Sequence, residues 1–358
     1  MIQEEVMALE FTKVEAKQWA KAHMKGLEVP IFPSFSPDLE KLDEEGIRWD
    51  VDHIIRNGFA SILVAIESCV LTNEERKKFV EIVCREAKKR VHVSVMVMQD
   101  TVEQDIEMLQ HMEKVGCTYA TLGHPIQYYP RSAEDIYAEF KYVCDATNLG
   151  VVFYPGRLHV RKMHPSYFPP EILPRIADIP NVMAMKIGGG SSMAITVMSF
   201  RLCGDKILVN DPMPDRWFIT VPEYGQQWSG AGPFYAMQTP ENPRMVNLFN
   251  TLVSGDIDRA MDMYWEGQKG MGGGGGGLEG AYFHTGVVTA MSDKYSHWLV
   301  GGNGGSIRQP TARLYDYQKE AMRAHVRTMG VTPREPEEEF YVGRVNYAKG
   351  ARLKKFGT

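Results

Sequence analysis

Cysteine is scarce in this chain of 358 residues. The five present, Cys69, Cys84, Cys117, Cys144 and Cys203, are scattered and form no C-x-x-C pair. That argues against a disulfide framework or a zinc ribbon and is the usage of a reducing cytosol. The opening Met1-Ile2-Gln3-Glu4-Glu5 lacks the basic region and apolar core of a signal peptide, so a cytoplasmic setting is expected. No apolar run approaches the ~20 residues that span a bilayer, which predicts no membrane segment. A basic excess is missing too: the net charge of -5 offers no footprint for nucleic acid. No G-K-S/T follows the glycine runs, so they are no P-loop. His159 and His164 are five apart beside Pro165, a poor metal geometry, and neither metal nor cofactor is expected. The partner left is a small-molecule substrate.

What the chain has in quantity is alternation. From residue 28, short apolar runs alternate with longer amphipathic ones. Strands are predicted at 29–34, 61–66, 91–98, 118–122, 151–154, 182–186, 206–210 and 227–231. Helices are predicted at 43–57, from Thr72, and at 101–115, 132–147, 170–177, 192–202, 215–223 and 242–253. Thr72 with Glu75 three residues on is a capping-box pattern. Eight strand–helix pairs in about 225 residues is the count of a (β/α)8 TIM barrel. An open doubly wound sheet is the rival, but it more usually stops at five to seven strands. The expected organisation is an N-terminal helical segment (1–27), the barrel (28–254) and a C-terminal helical extension with glycine-rich loops (255–358).

The extension departs from this rhythm. Gly272 to Gly277 is six glycines in a row, and Gly301-Gly302-Asn303-Gly304-Gly305 is a second glycine-rich stretch. The aromatic and histidine-rich segment 278–300 between them reads either as a surface insert or as a lid over the barrel mouth. A helix is predicted at 256–267 and another at about 311–329. The acidic run Glu335-Pro336-Glu337-Glu338-Glu339 is expected to be solvated or packed at an interface.

Lys186 carries the most chemical information. It ends the apolar strand Val182-Met183-Ala184-Met185-Lys186 and opens onto Ile187-Gly188-Gly189-Gly190. Burial disfavours an ammonium, and a lysine kept as the free amine can attack a carbonyl to give a Schiff base. The plain alternative is a strand-end lysine that points to solvent. Barrel chemistry sits at the C-terminal ends of strands, where Glu67, His124, Tyr154, Lys186 and Asn210 fall.

These pieces resemble the dihydrodipicolinate synthase and N-acetylneuraminate lyase superfamily of Schiff-base class I aldolases. The resemblance covers roughly residues 28 to 265. It rests on Pro30-Ile31-Phe32-Pro33-Ser34-Phe35, Leu42 to Arg48, Asp52 to Gly58, Glu67-Ser68 with Leu71 to Arg76, Asn148 to Tyr154 and Asn181 to Lys186. It implies a TIM barrel, an imine between Lys186 and a 2-oxo acid, and aldol, retro-aldol or hydratase-aldolase chemistry, with dehydratases sharing the imine. It also implies a homo-oligomer, a dimer or tetramer. Tyr154 then stands where the family has its proton-shuttling tyrosine.

Departures from the pattern are as informative. Where the family's second strand carries a hydroxyl pair that holds the carboxylate, this chain reads Leu63-Val64-Ala65-Ile66-Glu67. Gln127 stands where a relay tyrosine from a neighbouring subunit is expected. The substrate-binding candidates are therefore Glu67, His124, Gln127, Gly188, Gly189, Asn210, Trp228 and Ser229. Gly188 and Gly189 precede a helix whose free N–H groups could take an anion; a simple tight turn is the alternative. His124 could replace a missing proton carrier. Trp228, Phe234 and Tyr235, with Trp217 nearby, are expected to crowd the mouth and suit a bulky or aromatic substrate arm; barrel-to-helix packing is the alternative. A barrel that kept its fold, lost catalysis and binds a small carbonyl or anionic ligand is the rival from another class, as is a phosphate-binding barrel enzyme.

Overall fold

The computed structural model describes residues 9–66, 70–125, 127–155, 168–188, 191–230, 232–268, 290–309 and 313–353. Its centre is one eight-stranded sheet of parallel neighbours, in the order β7-β6-β5-β4-β3-β2-β1-β8. The strands are β1 Gly26–Ile31, β2 Ser61–Val64, β3 His92–Val97, β4 Tyr119–Leu122, β5 Gly150–Phe153, β6 Val182–Lys186, β7 Leu208–Asn210 and β8 Trp228–Ser229. Side chains bridge the remaining seam: the Asn210 amide donates to the Gly230 carbonyl at 2.5 Å, and the Ser229 hydroxyl donates to Asn210 Oδ1 at 3.2 Å. The result is the nearly closed TIM barrel that the alternation predicts.

The helices are α1 Ala16–His23, α2 Glu44–Arg56, α3 Asn73–Ala87, α4 Val102–Val115, α5 Ala133–Asp145, α6 Leu173–Asp178, α7 Met193–Cys203, α8 Trp217–Tyr224, α9 Arg244–Val253 and α10 Ile257–Gln268. After them come α11 Ala290–Leu299, α12 Asp316–Thr328, α13 Glu337–Val342 and α14 Arg344–Ala348. Local chemistry sets several starts. Thr72 and Glu75 form the expected capping box on α3, and Thr101 with Gln104 forms another on α4. Asp43 accepts from the Gly46 N–H at the head of α2.

Strand parity sorts the core. Val29, Ile31, Ile62, Val64, Val93, Val95, Val97, Ala120 and Leu122 pack outward against the helices. Across the bottom of the barrel, Phe11, Trp19 and Met24 plug the opening against Tyr119, Val152, Met183 and Trp228.

The extension is not peripheral where it is described. Ala290, Tyr295 and Trp298 of α11 have no exposed surface, and Phe340 of α13 packs on both aromatic rings. The 290–300 part of the lid expectation is thus corrected: this stretch is a core helix docked on the barrel, because its aromatic face is matched by Phe340 and by Tyr235 against His297. Residues 278–289 and the run Gly272 to Gly277 lie outside the described residues. Glu339 is buried rather than solvated, ion-paired to Arg334 and Arg344 and accepting from the Trp298 indole.

Candidate active site

β6 delivers Lys186 into the barrel. Its neighbours Met185 and Ile187 pack outward into the main core, so strand parity turns Lys186 inward. The residue is 7% exposed, and its Nζ lies 5.1 Å from the centre of the Tyr154 ring. Tyr154 follows β5, is 6% exposed, and packs with Leu63, Met96 and Met98 from β2 and β3. Lysine and tyrosine therefore share one side of the barrel mouth, with the apolar Leu63, Met96 and Met98 on the tyrosine's flank and the polar Asn210 beside the lysine. Such surroundings strengthen any charge–dipole contact made inside them.

Asn210 pairs in register with Lys186 across β6 and β7. Its side chain is occupied by β8: it donates to Gly230 O and accepts from Ser229 Oγ, with Gln226 Nε2 at 3.3 Å. Ser229 is bound into the same clasp. Asn210 stands next to the lysine, and the polar atoms of both residues hold the last strand in place.

The other candidates are placed apart. His124 has even parity on β4's continuation and faces α5, where it bonds Glu139, stacks on Tyr128 at 4.9 Å, and meets Phe140 and Phe153 edge-on. The structure does not bring it to Lys186. Gln127 is exposed. The Gly188 carbonyl accepts from the Ser191 N–H at 3.2 Å, and Ser192 caps α7 by accepting from the Ile195 N–H. Glu67 and Gly189 lie outside the described residues. Trp228 is at the barrel floor, against Tyr119, and Phe234 and Tyr235 pack beneath Trp217 and His297. The expectation of an aromatic crowd at the mouth is thus corrected: these rings fill the floor and the barrel–helix layer, as packing demands of large apolar surfaces.

One residue escaped the sequence reading altogether. Glu28 on β1 has no exposed surface; its Oε1 accepts from Tyr119 Oη at 2.5 Å and from Ser94 Oγ at 2.7 Å. Burial pushes its carboxyl up, opposed by the Tyr119 and Ser94 hydroxyls, the Lys186 charge and, more weakly, Ser61. The available signal was a lone acid in the apolar run Gly26-Leu27-Glu28-Val29-Pro30-Ile31. Asp105, pushed up to about 7 mainly by burial, is a second hidden acid, but it belongs to α4 and accepts from the Gln99 N–H at 2.7 Å. Among the described residues, no group of three or more histidines, cysteines or acids is arranged to hold a metal, and no helix is long and apolar enough to cross a membrane.

Comparison with known proteins follows the same outline. The model of the dihydrodipicolinate synthetase family matches residues 23–214. A 4-hydroxy-tetrahydrodipicolinate synthase of Syntrophobacter fumaroxidans is 28% identical over 230 residues, covering 63% of this chain and 75% of its own length. Its counterpart from Geobacter sp. (strain M21) is 30% identical over 230 residues, with 62% and 74% covered. Among solved structures, dihydrodipicolinate synthase of Thermotoga maritima superposes with a TM-score of 0.70 at 21% identity, covering 86% of this chain and 99% of the other. N-acetylneuraminate lyase of Fusobacterium nucleatum gives 0.68 at 17% identity, covering 85% and 98%.

Proposed function

This chain belongs to the dihydrodipicolinate synthetase family, and from that premise we propose that it is a lysine Schiff-base lyase acting on a 2-oxo acid or related carbonyl compound. Lys186 is the nucleophile and Tyr154 the general acid–base. The observation that carries the reading is the buried Lys186 amine set 5.1 Å from the Tyr154 ring, at the C-terminal end of β6. Attack by the amine on the carbonyl carbon gives a carbinolamine, and loss of water gives the protonated imine. That imine takes up the electron pair when a C–C bond two carbons away breaks, or supplies it when one forms. Tyr154 moves the proton on and off the oxygen that departs.

Two of the similar solved structures, the N-acetylneuraminate lyase of Fusobacterium nucleatum and the Escherichia coli protein YagE, are complexes with pyruvate. A pyruvate-like carbonyl half is our first choice. The family's hydroxyl pair is replaced by Val64 and Ala65, both buried among apolar side chains, so the carboxylate is held differently here. The same observation favours a second reading, a barrel that binds a carbonyl or anionic ligand without turning it over. We further place the chain in the cytoplasm as a dimer or tetramer, with the barrel spanning 28–254.

Borohydride trapping with a panel of 2-oxo acids and aldehydes separates the readings. A ligand-sized mass increment on the Lys186 peptide, absent in Lys186→Ala, supports the lyase. A folded protein that traps none of them sinks it and leaves the binding reading.

A further inference from the structure

Nine buried side-chain atoms have no hydrogen-bond partner among the described residues, and four of them belong to inward-facing positions of the barrel: Glu28 Oε2, Ser61 Oγ, Thr121 Oγ1 and Trp228 Nε1. A buried polar atom left without a partner opposes folding, so four in one interior call for a reason. Glu28 is the only ionisable group of the four. Its Oε2 points toward β8: a Cβ on Gly230 would stand 2.4 Å from that oxygen and 2.5 Å from the Trp228 ring, so glycine leaves the carboxyl its room. The Gly230 carbonyl binds the Asn210 amide, and Asn210 is the register partner of Lys186. One step per strand therefore leads from Glu28 on β1 through β8 and β7 to Lys186 on β6. Sequences that bury an acid inside a barrel strand without an ion-pair partner at hydrogen-bond distance normally lose stability by it.

We infer that Glu28 is a positioning residue for the Schiff-base chemistry, a buried counter-charge that favours the Lys186 ammonium before attack and the iminium afterwards. The inference rests on the Lys186 reading above. The step balances. The Lys186 ammonium passes one proton to solvent at the mouth, leaving the free amine. The amine adds to the carbonyl carbon as the C=O π pair moves to oxygen, and one proton shifts from nitrogen to that oxygen. The carbinolamine takes one proton back and expels water, and the product is an iminium facing the Glu28 carboxylate. The same buried carboxylate balances the cation at both ends of the step, so the apolar wall is not left to solvate an uncompensated ion. Tyr119 from β4 and Lys186 from β6 are the titratable groups set against the carboxyl; Ser61, Ser94 and Trp228 carry no charge. This arrangement places inside the barrel a fixed counter-charge where the mouth has lost its hydroxyl pair.

The test reads Lys186 directly. Acetic anhydride labelling of the full-length protein across pH, followed by mass mapping of the Lys186 peptide, gives the midpoint at which the amine becomes free. In Glu28→Gln the midpoint should fall by about one pH unit, because no carboxylate remains to favour the ammonium. Tyr119→Phe should shift it the same way by less, since a carboxylate that loses a donor competes better for the proton. It also serves if Glu28→Gln does not fold. Borohydride trapping at neutral pH should slow about tenfold in Glu28→Gln, where the iminium has lost its counter-charge. Midpoints unchanged in the folded variants overturn the inference. Shifted midpoints in a protein that traps no carbonyl compound support the Glu28–Lys186 coupling and sink the lyase reading instead.

Discussion

The barrel interior and the seam between α2 and the extension bury charge in opposite ways. In the seam every buried polar group meets a partner. Lys294 donates to Pro33 O at 2.8 Å, Asp50 accepts from the Asn303 N–H at 2.6 Å, and His53 Nδ1 meets His297 Nε2 at 2.9 Å. None of these side chains contributes an unpartnered atom among the described residues. The barrel interior leaves four such atoms around Glu28. A satisfied buried network stabilises one arrangement of the chain. An unsatisfied one is retained against stability, and sites that must react are where that happens.

Two lysines make the contrast measurable. Lys186 and Lys294 are 7% and 4% exposed, and a lysine-to-alanine change in each should have opposite consequences. Lys186→Ala should lower turnover of any substrate found by trapping about a thousandfold or more, with little loss of stability, because it removes the nucleophile. Lys294→Ala should cost about 3 kcal/mol, since it strips the cation from Pro33 O, Ser34 and Asp50, yet the folded fraction should still be trapped. Urea unfolding beside borohydride trapping reads both. If Lys294→Ala abolishes trapping while folded, the division between the two regions is wrong.

The histidine pair gives the seam a pH signature. Burial, aided by the charges of Arg56 and Arg344, holds His53 down at about 4, against an ordinary 6.5. Its pKa is lower folded than unfolded, so between those values the unfolded chain binds a proton that the folded chain refuses. Stability is then present above 6.5 and lost as pH falls toward 4, by about 1.4 kcal/mol per unit at most. His297, depressed further by burial and by His53, acts in the same direction. Asp50, pushed up to about 6 by burial, acts in the other: it takes a proton in the folded state first. Comparing wild type with His53→Asn cancels most of what the other two contribute. The wild-type advantage in urea should shrink by about 2 kcal/mol between pH 7 and pH 5. A constant difference would mean that His53 titrates normally.

Much of the barrel is legible in the sequence because its rules are local. The lysine strand is predicted at the residues where it is found, 182–186, and the α3 capping box was read from two side chains. An apolar strand that ends in a lysine before a glycine-rich stretch is enough to raise Lys186, and the family resemblance raises Tyr154. What was not legible depends on what lies opposite. Trp228 reads as a mouth residue until the plug of Phe11, Trp19 and Met24 shows the floor it packs on. His124 lies at the right strand end but on the face turned to α5 and Glu139. Ala290 to Leu299, flanked by glycines, looks loose in sequence, and only its partners Phe340 and Tyr235 make it core. Glu28 was missed because a single acid in an apolar strand has no periodic signature; its meaning comes from Tyr119, Ser94 and Gly230, each on a different strand.

The rim of the seam offers the smallest test and the sharpest on what burial adds. Arg308 forms two bonds to the Glu75 carboxylate, at 2.7 and 2.8 Å, donates to Leu39 O and Glu40 O, and lies over the Phe35 ring at 4.4 Å. The geometry is as good as any in the buried seam, and Arg308 draws the Glu75 carboxyl below its usual range. Yet both side chains of the pair are 21% exposed, so water replaces much of what either loses. Arg308→Ala should therefore cost about 1 kcal/mol, less in high salt, against about 3 for Lys294→Ala. If the two costs came out equal, hydrogen-bond count rather than burial would be what separates the regions, and the orphaned atoms around Glu28 would lose their claim to a functional reason.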